Sequence, residues 1–111
     1  VMPVAGCTGA NDFPTTSGAY STAKNGMDDA FVSRLDPRQT STTQLVYSSF
    51  LGGSTADRAF ALRGDASGVM TVAGYSDSID FPTTNGAFDT TYSASGDAFV
   101  SRLSMARSAR I

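Results

Sequence analysis

The residues of this chain whose type and spacing suit chemistry are aspartates. Asp12 and Asp80 stand 68 residues apart, and so do Asp29 and Asp97, giving two recurring carboxylate rows. Paired carboxylates can cleave a glycosidic bond when one is held protonated and the other ionised. The same side chain also caps backbone N–H groups at loop-to-strand junctions, and each of the four falls at such a junction. A further grouping, Gly52-Gly53-Ser54-Thr55-Ala56-Asp57, partly matches a calcium-binding G-G-x-G-x-D turn, with Thr55 in place of the third Gly. Asp28, Asp29 and Asp57 are therefore the candidate calcium ligands, short of the oxygen-rich shell that Ca²⁺ takes. No other cofactor is expected.

Other chemistries are poorly supplied. The chain has no His, so the commonest metal ligand and general base are missing and its serines lack a partner base. Cys7 is the single cysteine, and Tyr75 holds the corresponding place 68 residues on, which points to a space-filling role and excludes an intrachain disulfide. A net charge of −2 without a basic cluster argues against nucleic acid. No apolar run reaches the roughly 18 residues of a membrane span.

The elements that would position these groups follow from an internal repeat. Asp12-Phe-Pro-Thr-Thr-Ser-Gly-Ala-Tyr20 recurs as Asp80-Phe-Pro-Thr-Thr-Asn-Gly-Ala-Phe88, and Asp29-Ala-Phe-Val-Ser-Arg-Leu35 as Asp97-Ala-Phe-Val-Ser-Arg-Leu103. At this offset 20 of the first 37 residues are identical without a gap, the signature of a repeat architecture. The 111 residues make only about 1.6 periods, so the chain reads as a piece of a longer protein, with 104–111 as a frayed tail.

Abundant Gly, Ser and Thr with a single Lys and no Glu disfavour helix and suit strands and turns. Six strands are expected: Val1–Gly6, Ala30–Leu35, Leu45–Leu51, Arg58–Arg63, Val69–Tyr75 and Ala98–Leu103. Ala59–Leu62 is apolar on both faces, which predicts a strand buried in the middle of the structure. The segments 7–28 and 76–96 are long polar loops. In them Phe13 and Phe81 are held extended by Pro14 and Pro82, while Gly18 and Gly86 permit positive φ. Tyr20 and Phe88 are expected to pack back beside those phenylalanines, with Phe31 and Phe99 on the strands that follow. These residues serve as anchors; the alternative is a loop that presents Thr and Asp to a protein or glycan ligand. One period thus holds four strands, and without the 21-residue loop it is 47 residues long, the size of a propeller blade. A parallel β-helix and a β-sandwich are the rivals.

The two repeated phrases, with Leu45-Val-Tyr-Ser-Ser-Phe-Leu-Gly-Gly53, resemble the bacterial SBBP repeat family. The resemblance spans nearly all of 1–103 and departs at Cys7, at Asp28 (Gly96 in the other copy) and after Leu103. It implies a seven-bladed β-propeller from a secreted or cell-surface protein and little about activity. The expected fold is thus all-β, with antiparallel four-stranded blades of an incomplete propeller. Residues 1–53 would be the outer three strands of one blade and 54–103 the inner three of the next, with Arg58–Arg63 innermost by analogy with other blades. The expected function is a non-enzymatic scaffold or binding module, against a polysaccharide hydrolase or lyase using Asp, or a calcium-dependent adhesion module. Its partners would be neighbouring blades, and unpaired edges at Val1–Gly6 and Ala98–Leu103 would favour self-association.

Overall fold

The structure, a computed structural model, describes residues 1–91 and 96–104. It is all-β apart from a short 3-10 turn at Ser41–Gln44. The strands are β1 (Met2–Thr8), β2 (Asp29–Leu35), β3 (Leu45–Leu51), β4 (Asp57–Gly64), β5 (Val69–Ser76) and β6 (Asp97–Ser104). They form two antiparallel three-stranded sheets, ordered β1-β2-β3 and β4-β5-β6. The proposed tail begins at Ser104, the last residue of β6; the rest of it lies outside the described residues.

The repeat is visible in the ladders. β1 pairs with β2 from Met2↔Leu35 to Thr8↔Asp29, and β5 pairs with β6 from Met70↔Leu103 to Ser76↔Asp97, the same register one period later. β4 adds to β5 on one side of the second sheet, and β3 adds to β2 on the other side of the first. The two sheets pack against each other through β1 and β2 on one side and β4 on the other. Ala30, Val32, Tyr47 and Leu51 from the first meet Ala59, Met70, Val72 and Phe99 from the second in one apolar core. Burying such side chains is the main driving force, worth about 1.5–3 kcal/mol for each large one.

Strand alternation explains which faces are covered. On β2, Ala30 and Val32 are fully buried against the second sheet, while Phe31 on the opposite face lies under the 9–28 loop. The strands covered on both faces are therefore β2 and, from Tyr47 to Leu51, β3. The expectation that Ala59–Leu62 would hold that place is overturned: β4 is an edge strand and Phe60 is 74% exposed. The ladder skips Phe60, with Ala59 opposite Gly74 and Ala61 opposite Ala73, so a bulge turns its ring to solvent. Cys7 also departs from expectation. It is exposed on the edge strand β1 and fills no core.

Two of the positions at which the copies differ, 7/75 and 28/96, are spatial partners in the second copy. Gly96 has φ +93°, and a Cβ there would lie 2.3 Å from a Tyr75 ring carbon. Tyr75 thus requires Gly at 96. In the first copy the small Cys7 replaces Tyr, and position 28 carries an Asp whose carboxylate pairs with Arg58 at 3.3 Å. Gly96→Asp, which copies the first repeat into the second, is expected to lower stability by about 2 kcal/mol or more through ring overlap and left-handed backbone strain. Adding Tyr75→Cys relieves the overlap but not the strain. Urea unfolding of the four members of this cycle should show about half the loss recovered, and strict additivity would exclude the pairing.

Candidate functional site

The loop after β1 lies along the open edge of β3. Thr16 N–H donates to Ser48 O at 3.0 Å, Ser48 N–H donates to Thr16 Oγ1 at 2.9 Å, and Phe50 N–H donates to Ser21 O at 3.0 Å. Side chains double these links: Ser48 Oγ reaches Pro14 O at 2.7 Å, and Ser21 N–H reaches Ser49 Oγ at 2.9 Å. An exposed strand edge is a template for wrong pairing, and here residues 14–21 cover it. Phe13 anchors the loop on the sheet face, 4.4 Å from the Phe31 ring centroid and 6.0 Å from that of Phe50. Phe81 repeats this on Phe99 at 4.3 Å.

The predicted anchors divide accordingly. Gly18 and Gly86 have φ of 81° and 84°, as a turn with positive φ demands. Tyr20 and Phe88 do not pack back beside the phenylalanines; they are 54% and 105% exposed. Tyr20 is turned outward because its N–H donates to Tyr47 Oη at 3.3 Å while the chain follows the strand edge.

The carboxylates separate into three environments. Asp12 is exposed, with no hydrogen-bond partner among the described residues. Asp80 is exposed and accepts from Ser54 N–H at 2.8 Å and Ser54 Oγ at 3.1 Å, bonds that hold its carboxyl below the ordinary range. Asp29 and Asp57 are fully buried at the junction of the sheets. Asp97, the repeat counterpart of Asp29, is half-buried on β6.

Gly52 is the pivot of this buried pair. The place its Cβ would take lies 2.5 Å from Asp57 Oδ2 and 3.0 Å from Asp29 Oδ1, so only Gly fits between the carboxylates. At Gly53 the same construction meets Asp80 Oδ1 at 2.3 Å. The Gly-Gly pair that resembled a calcium loop is therefore a tight passage between acidic side chains.

Asp57 is well served. Its Oδ1 accepts from Ser76 Oγ at 2.5 Å, and its Oδ2 from Gly53 N–H at 3.0 Å and Ser78 Oγ at 3.1 Å. Its own N–H donates to Asp28 O at 2.9 Å, tying the second sheet to the end of the first loop. Asp29 Oδ2 accepts from Asn25 N–H at 2.8 Å, but Oδ1 is buried without a partner. Burial pushes the Asp57 carboxyl up, the Ser76, Gly53 and Ser78 bonds pull it down, and the Asp29 charge raises it; the net shift is upward.

The three calcium candidates are not gathered. Asp28 turns away to Arg58, and the described residues contain no cluster of three or more metal-ligating acidic, His or Cys side chains. Asp29 and Asp57 do come together, but sealed from solvent, where no glycan can reach them. Sequence reasoning missed the donors: Ser48, Ser49, Ser76 and Ser78 are all buried. The signal was available, since hydroxyls inside or beside an apolar strand require partners when buried.

Asp57→Ala strands three buried donors and is expected to cost about 3–5 kcal/mol in urea unfolding. Because folded Asp57 keeps its proton to higher pH than the unfolded chain does, its ionisation subtracts stability as pH rises from about 4 through its folded pKa. The stability of the parent relative to Asp57→Asn should therefore fall as pH rises above about 4, and a rising difference would contradict this environment. Asp29→Asn removes a buried charge that lacks a full set of donors and lies beside Asp57, and should raise stability at pH 7 by about 1 kcal/mol. Family models, curated proteins and solved structures all yield no match to this chain, so the site is read from its own geometry.

Proposed function

We propose that this chain is a non-enzymatic repeat module of a β-propeller, belonging to the SBBP type and to a secreted or cell-surface bacterial protein. It acts as a scaffold whose loops offer a binding surface to a protein or glycan. The observation that carries this reading is the overlay of the two sheets. β5-β6 repeat β1-β2 in the same register, β4 adds before them and β3 after them, so one complete unit has four antiparallel strands in chain order. The two units are separate sheets that share one apolar core, as neighbouring blades do. The non-enzymatic part is supported by the recurring carboxylates. Asp29 is sealed at the sheet junction and Asp80 is bound to Ser54. Asp12 and Asp97 stand apart from them as an exposed loop residue and a half-buried strand residue. Motif identity between copies suits a framework better than a reaction.

The test is a concatemer of seven copies of the period 36–103. It is expected to run as a monomer, melt cooperatively and show a closed ring by electron microscopy. An open filament or solenoid would overturn the propeller reading. Release of reducing or unsaturated sugar ends from polysaccharides by the ring would overturn the non-enzymatic one.

A further inference from the structure

The second unit holds a strand-shaped groove that the first unit fills with its own chain. Among the described residues β6 has only β5 as a sheet neighbour, whereas its counterpart β2 lies between β1 and β3. The loop that covers β3 in the first unit is nevertheless folded in the same way in the second. Ala19 N–H donates to Thr16 O at 3.2 Å and Ala87 N–H to Thr84 O at 3.2 Å; Phe13 N–H donates to Ala10 O at 3.4 Å and Phe81 N–H to Ser78 O at 3.2 Å. Beside this loop and β6 runs a groove of about 1140 Å³, lined by Thr84, Phe88, Phe99 and Ser101 and, from the first unit, by Tyr47 and Leu51.

We infer that this groove is a docking site for an extended segment with the chemistry of β3, namely Leu-Val-Tyr-Ser-Ser-Phe-Leu, supplied by another polypeptide segment. The occupant is identified by the first unit, where the same walls hold that strand. The β2–β3 register places Phe50 opposite Phe31, Ser48 opposite Ser33 and Tyr47 opposite Arg34. One period on, it sets the incoming Phe opposite Phe99, the incoming Ser opposite Ser101, and the incoming Tyr opposite Arg102. Ser33 Oγ and Ser48 Oγ are 2.8 Å apart, and Ser101 offers the same hydroxyl. Thr16 Oγ1 accepts from Ser48 N–H, and Thr84 offers the same acceptor. Pro14 O accepts from Ser48 Oγ, and Pro82 offers the same carbonyl. One wall differs: Asp89 stands where Ser21 receives the Phe50 N–H, and its backbone carbonyl can do the same. Edge addition of this kind takes affinity from main-chain bonds and selectivity from alternate side chains. The inference depends on the internal repeat alone and stands whether or not units close into a ring.

The experiment titrates the 111-residue chain into a fluorescently labelled nine-residue peptide with the sequence of 45–53 and follows anisotropy. Saturable binding is expected. The same peptide carrying Ser49→Pro, which removes an interior N–H from the strand, should lose it. Thr84→Val in the chain should weaken binding about tenfold, the loss of one directed hydrogen bond. Absence of binding, or equal binding by the proline peptide, would overturn the inference. A chain dimer that persists in saturating peptide would assign the groove to a second copy and overturn it as well. A ring-forming concatemer with no peptide binding would leave the propeller reading intact while this one fails.

Discussion

The need to satisfy the outer edge of β3 governs much of this structure. A strand of buried Tyr, Ser, Ser, Phe and Leu carries N–H and C=O groups along two edges, and β2 serves only one of them. The other edge is closed by Thr16 and Ser21. That single requirement accounts for the length of the polar loop, for Phe13 pinned on Phe31, and for the positive φ at Gly18 that turns the chain along the strand. A phrase that looked like a recognition motif is thus an edge cover. Its repetition in the second unit reproduces the cover beside β6.

The junction between the sheets rests on a different economy of polar groups. Asp57 is tolerated in a dry place because three donors converge on it, and its backbone joins the end of the first loop. Asp29 is its less satisfied neighbour, with one oxygen bonded and one bare. Two carboxylates facing each other across a glycine would be a poor choice for stability alone. Their placement makes the joint sensitive to protonation and intolerant of any side chain at Gly52.

Much of the architecture was legible in the residues. Leu45–Leu51 appears as a strand with the bounds expected for it ahead of Gly52-Gly53, and the other five strands differ by only one or two residues at their ends. The repeat predicted two copies of one hairpin, and the matching registers of β1–β2 and β5–β6 show why: identical alternation on paired strands selects identical pairing. Ala59–Leu62 misled because small apolar residues look buried from any side, whereas the bulge at Phe60 depends on how β4 meets Gly74 and Ala73. Tyr20 and Phe88 misled because aromatic character says nothing of the direction in which a loop leaves a sheet.

What the sequence by itself determined is the set of local choices: strands where apolar residues alternate, turns where Asp, Gly and Pro punctuate them, and a period of 68 residues that makes two units alike. These follow from steric and hydrophobic preferences that act over a few residues. Only the tertiary structure decided which carboxylates meet, which serines become donors, and why Tyr75 goes with Gly96. Those outcomes depend on contacts between residues distant along the chain, such as Asp29 and Asp57 on either side of Gly52. No spacing rule encodes them, because the distances arise only when the two sheets close on a shared core.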